Sequence, residues 1–110
     1  MRYLMLVCGA EPGREPTDEE MAPALAWTTE MTDRGVRESG HRLGPAASAT
    51  TVRVRDGQLL LSDGPFAETY EQVLGYDLLE CANLDEAIEV ASRHPAARWG
   101  SVEVRPVWTA

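Results

Sequence analysis

The residues with the most chemical potential stand together at Ser62-Asp63-Gly64-Pro65-Phe66-Ala67-Glu68. This stretch follows an apolar run and holds the chain's only phenylalanine, a Gly-Pro turn and two carboxylates. Asp63 is the leading catalytic candidate. At a strand end, ahead of a stiff turn, its carboxylate can act as a base or orient a ligand, and partial burial would raise it toward the useful range. The competing role is structural: an Asp that accepts backbone N–H bonds and pins the turn.

Further candidates lie downstream. Glu68 and Glu71 are three apart, so one helical turn would put both on one face and let them divide acid and base roles. The alternative is a solvated acidic patch. Glu103 and Arg105 point the same way in the last apolar-alternating segment. They are either a clamp for an anion through the Arg fork or an ion pair of the scaffold, and Arg53 carries the same two readings. Phe66 reads as a buried anchor or pocket wall. Tyr76 reads as core with a satisfied hydroxyl, or as a proton donor to a ligand.

Other chemistries are poorly supplied. All ten positive charges are arginine, so no side chain offers a Schiff-base amine. Cys8 and Cys81 sit in apolar segments and read as buried free thiols, and no Cys or His stands at ligand spacing, so neither metal nor cofactor is expected. His41, between glycines, reads as exposed; His94 reads as a cation at a helix C-terminus. The net charge of −8 opposes phosphate backbones and anionic lipid, so nucleic acid and membrane are excluded as partners. The apolar run from Tyr3 to Cys8 is too short to span a bilayer and reads as a first strand, with a cytoplasmic location expected.

The elements that must position these groups follow from pattern. Residues 2–9 predict a strand. Thr17 with Glu20 matches a capping box, but Pro23 implies either a kinked helix or a short turn before a helix beginning at Pro23. Gly35 is the expected stop. Residues 36–49 read as loop, with a short extended piece at His41 to Leu43. Residues 51–55 alternate strictly, Asp56-Gly57 makes a hairpin turn, and residues 58–62 return. Residues 73–81 predict a third long strand with Leu74, Tyr76 and Leu78 on one side. Asn83 and Glu86 repeat the capping pattern ahead of a Leu84, Ala87, Ile88, Ala91 stripe, and residues 101–105 close the chain as a strand.

Strand, helix, a run of strands, helix, strand predicts one α+β domain over residues 1–110. The expected form is a ferredoxin-like antiparallel sheet with two helices on one face. The other face would carry Arg53, Arg55, Glu103 and Arg105. Two subunits packing these faces together would enclose a charged cavity.

Ser62 to Thr69, then Glu71, Gly75 and Tyr76, resemble the signature of the DGPF branch of the YCII-related proteins. Leu84-Asp85-Glu86-Ala87, Gly100 to Pro106, Thr51-Val52-Arg53 and Asp56-Gly57 match its flanking patterns. The resemblance implies a ferredoxin-like subunit in a dimeric α+β barrel, and an accessory role beside extracytoplasmic-function sigma factors. Relatives in the wider group resemble dehydrochlorinases and lactone isomerases with a pocket His–Asp pair. The first helical segment here contains no His, so that pair does not carry over. Tyr70 replaces a usual Lys, and Leu74 a common Gly.

Three functions follow. The chain is a small-molecule-binding or sensing protein, a cofactor-independent acid–base enzyme for a small anionic substrate with Asp63 as base, or a structural dimer.

Overall fold

The computed structural model describes residues 1–67 and 69–109. Its elements are β1 (Arg2–Gly9), α1 (Asp18–Asp33), β2 (Arg37–Arg42), β3 (Thr50–Arg55), β4 (Gln58–Asp63), β5 (Gln72–Glu80), α2 (Leu84–Ser92), α3 (Ala96–Trp99) and β6 (Ser101–Pro106). Four strands form an antiparallel sheet in the order β2-β5-β1-β6. The class is α+β, with the helices on one face.

The alternation of β1 decides which face that is. Tyr3, Met5 and Val7 are buried, and with Leu79, Trp27, Met31 and Val90 they form the core. Leu4, Leu6 and Cys8 point the other way and are only half-buried. The centre of the sheet is therefore apolar on both faces, although helices cover only one.

α1 runs unbroken from its capping box at Thr17 through Pro23. Of the two readings of Pro23, the short turn before a helix beginning at Pro23 is overturned: the helix starts at the Thr17 cap and carries Pro23 inside it. Proline removes one bond, to the Glu19 carbonyl, and the buried Trp27 and Met31 hold the helix beyond it. The helix closes with a Schellman motif: Gly35 (φ +74°) donates to Thr32 and Val36 to Met31, joining buried Val36 to buried Met31. Trp27 locks α1 to α2 by donating from Nε1 to the Val90 carbonyl at 3.0 Å. Of the expected α2 stripe, Ala87 and Ala91 are buried with Val90, whereas Leu84 and Ile88 face solvent.

Several expectations change. Residues 36–49 contain the strand β2 and a 3-10 turn at Ala46–Ser48 rather than loop alone. The segment after α2 folds into the additional short helix α3. β3 and β4 do not join the main sheet but form a separate two-stranded ribbon. Its turn is the type I′ expected of Asp56-Gly57, with φ +51° and +75°. Arg53 and Arg55 are consequently not on the face that carries Glu103 and Arg105.

His94 is also not a helix-end cation. It is 8% exposed, packs edge-on against Trp27, and its Nδ1 accepts from the Ala96 amide at 3.0 Å. Burial pushes its pKa down, which favours the neutral ring.

Candidate functional site

The uncovered face of the main sheet brings titratable groups from four strands into rows. Register places His41, Tyr76, Leu6 and Glu103 side by side across β2, β5, β1 and β6. The next row holds Leu78, Leu4 and Arg105; on the other side come Val73, Cys8 and Ser101. The centre is thus aliphatic and aromatic, with polar groups at its margins.

A β-bulge shapes the middle of this face. Val7 pairs with Gly75 but Cys8 pairs with Val73, leaving Leu74 unpaired. Leu74 turns to pack on the core and Val73 takes the open side. The expected trio of Leu74, Tyr76 and Leu78 on one side is therefore incorrect: Tyr76 and Leu78 share the open face, and Leu74 does not.

Tyr76 Oη lies 3.2 Å from His41 Nδ1. With the imidazole proton on Nε2 the phenol donates to Nδ1; with the proton on Nδ1 the phenol accepts. Either way the two rings share a proton position at the surface of the sheet. Beneath them, Arg37 Nε donates to Asp77 Oδ1 at 2.7 Å, and its guanidinium also donates to the Gly40 carbonyl at 3.0 Å. Burial pushes the Asp77 carboxyl above its ordinary pKa, while the hydrogen bond and charge of Arg37 and the charge of His41 pull it back. Gly40 is needed here because a Cβ would stand 2.3 Å from Asp77 Oδ1 and 2.5 Å from the Tyr76 carbonyl oxygen.

At the other end of the face, Ser101 Oγ donates to Glu71 Oε2 at 3.2 Å. Burial, then the charges of Glu103 and Glu71, push the Cys8 thiol up, which keeps it protonated and unreactive at neutral pH. Glu103 and Arg105 form a 3.6 Å ion pair along one strand, on the exposed margin.

Glu71 and Val73 also border a cleft of about 510 Å³. Its other walls are the 43–49 segment and Pro65, Phe66, Ala67 and Thr69 from the motif loop. The cleft opens beside the sheet face, so the two regions meet at Glu71 and Val73. Its lining is mainly apolar, and the His41–Tyr76 pair lies outside it.

The candidates read from sequence are therefore dispersed. Tyr76, Glu103 and Arg105 reach the open face, Phe66 the cleft, and Glu71 both. Phe66 is not a buried anchor: it is 79% exposed, with the Arg53 guanidinium 5.4 Å over its ring. Asp63 ends β4 opposite Thr50, exposed and outside the cleft lining. The turn after it is held by Gly64 N–H donating to the Ala49 carbonyl and Thr51 Oγ1 donating to the Gly64 carbonyl. Among the described residues the Asp63 carboxylate takes no part in pinning it. Glu68 lies outside the described residues, and residues 69–71 are not helical.

Sequence reasoning missed His41 as a partner of Tyr76. Its strand lacks any apolar residue that would have marked it. Only the extended piece expected at His41 to Leu43 hinted at the placement.

The fold and the open face define a small α+β domain with helices on one sheet face and titratable groups on the other. Residues 1–110 match the YCII-related domain. The chain is also 40% identical to an uncharacterized protein of Rhizobium meliloti (strain 1021), across 74% of its own length and 80% of that protein's. The chain belongs to the YCII-related family.

Proposed function

We propose that this chain is a homodimeric small-molecule-binding protein whose ligand lies on the uncovered sheet face, enclosed by a second copy. The observation that carries this reading is the face itself. Leu4, Leu6, Tyr76 and Leu78 are apolar and half-buried, and no helix covers them. A two-fold arrangement would stack two such faces as ferredoxin-like halves of an α+β barrel and leave the polar margins around a shared cavity. The 510 Å³ cleft beside Glu71 and Phe66 supplies an entrance. Arg105, at the margin of this face, is the cation that would meet a small organic anion there, while Arg53 stands over Phe66 beside the cleft. Membership of the DGPF branch, and its accessory role beside sigma factors, rest on the residue 62–69 resemblance and form part of the same proposal.

Light scattering on the eluting protein, followed by thermal-shift screening against small carboxylates, tests the reading. A dimer stabilised by such ligands is expected. A monomer that no carboxylate stabilises refutes it.

A second reading, an acid–base enzyme without cofactor, is favoured by the 3.2 Å His41–Tyr76 contact. This contact supplies the proton-active pair that the first helix lacks, and it displaces Asp63 as the leading base. Its chemistry is removal of a proton beside a carbonyl by His41, with Tyr76 donating to the oxygen. Solvent deuterium exchange into small keto acids and lactones, followed by NMR, is expected for the native chain. It should vanish in His41→Asn. Exchange that survives this substitution removes the pair from the mechanism.

A further inference from the structure

The β3–β4 ribbon stands apart from the rest of the molecule. None of its side chains joins the core, and every residue of β4 is exposed. The pairs Val52–Leu61 and Val54–Leu59 align four apolar side chains on one face, each 59–64% exposed. The radius of gyration of 15.8 Å exceeds the roughly 13 Å expected of a compact chain of this length.

A two-stranded ribbon alone is marginally stable in water and needs a layer against its apolar face. The exposed face amounts to on the order of 400 Å², within the range of patches that mark contact surfaces. This is about half of what one partner gives to a standard interface. The open sheet face can supply the rest.

Charge selects the occupant. The chain has ten arginines and eighteen acids, a net charge of −8. The ribbon, residues 50–63, holds Arg53 and Arg55 against Asp56 and Asp63 and is neutral, so the remaining residues carry the whole −8. Two copies repel one another over most of their surface and least at the ribbon.

We infer that the ribbon is a dimerisation arm: its Val52, Val54, Leu59 and Leu61 face is covered by a second copy of this chain. A two-fold axis buries both arms at once, because each copy offers the same patch. The inference deepens the dimer reading above and rests on it. It adds that the sheet faces alone do not hold the dimer.

The test compares the dissociation constant of the native dimer with those of three variants, the third being Leu6→Arg on the open sheet face, by sedimentation at graded concentrations. Val54→Glu with Leu59→Glu places charge on the apolar arm face, far from the core. Gln58→Glu changes charge on the opposite face of the arm. Circular dichroism checks that the main fold is kept. At least a 100-fold weakening in the double variant, with less than a threefold change in Gln58→Glu, is the expected result. A native monomer overturns both the dimer reading and the arm. A Leu6→Arg chain that becomes monomeric, beside a double variant that dimerises as tightly as the native chain, overturns the arm alone.

Discussion

Replacing Arg37 with Met should unfasten the edge of the sheet that carries His41. β2 reads Arg-Glu-Ser-Gly-His-Arg, without one apolar side chain, so hydrophobic burial does little to hold it. Beyond its ladder to β5, it is pinned by the Arg37–Asp77 pair, whose side chains are 17% and 11% exposed. Removing one partner of a buried pair typically costs about 3–5 kcal/mol. Incomplete burial puts Arg37→Met near the lower end, at about 3 kcal/mol, or roughly 13 °C in Tm for a chain of this length.

The pH dependence sharpens the test. Burial already raises Asp77 above its ordinary value of 3.8, and loss of Arg37 raises it further. Between 3.8 and the folded-state value, the folded chain holds this proton more firmly than the unfolded chain, so stability falls as pH rises. The deficit of Arg37→Met relative to the native chain should therefore be greatest at pH 7 and smaller at pH 5, nearer the raised folded-state value. Adding Asp77→Asn should recover part of the loss, since no charge is then stranded. Urea unfolding at both pH values measures all of this. A deficit under about 1 kcal/mol at pH 7, or one unchanged at pH 5, refutes the reasoning.

Three other outcomes follow from the same physics. Burial lowers the pKa of His94, so its contribution is complete above the unfolded value of 6.5 and is lost as pH falls through it. His94→Asn, which keeps an acceptor for Ala96, should flatten the decline in the urea midpoint between pH 7.5 and 5. Thr17→Ala removes half of the capping box and should cost about 1 kcal/mol, seen as a fall of roughly 4 °C in calorimetric Tm. Gly100→Ala would set a Cβ 2.2 Å from the Cys8 carbonyl oxygen, a backbone atom that cannot rotate away. It should lose at least about 2 kcal/mol in chemical denaturation.

Sequence pattern revealed the elements whose stability comes from local or periodic signals. The capping box at Thr17, the Asn83 cap, the Asp56-Gly57 turn, Gly35 and the alternation of residues 51–55 and 101–105 each specify structure within a few residues. What escaped depends on partners distant in sequence. β2 forms because Arg37 meets Asp77 forty positions away, and no hydrophobic period announces it. The bulge opposite Val7 and Cys8 turns Leu74 inward, which alternation along β5 alone cannot show. The separation of the ribbon from the main sheet is likewise invisible in its own pattern, since strands of either sheet alternate alike. Of the candidate site residues, those on β5 and β6 reached the open face because their alternation continues through the sheet. Asp63, Arg53 and Phe66 followed the ribbon and its loop away from it.

The main sheet is continuous across the point where the ribbon leaves it. Arg42 pairs with Gly75, and the Leu43 amide donates to the Leu74 carbonyl at 2.9 Å, so the chain departs and returns at neighbouring positions. Residues 43–71 are in that sense an excursion between two neighbouring strands that a short turn could join. Doubling the length of such an excursion costs only about 0.6 kcal/mol in closure entropy. Evolution can therefore lengthen, trim or replace this module without renegotiating the core, and the same freedom makes it the natural place to graft a foreign segment.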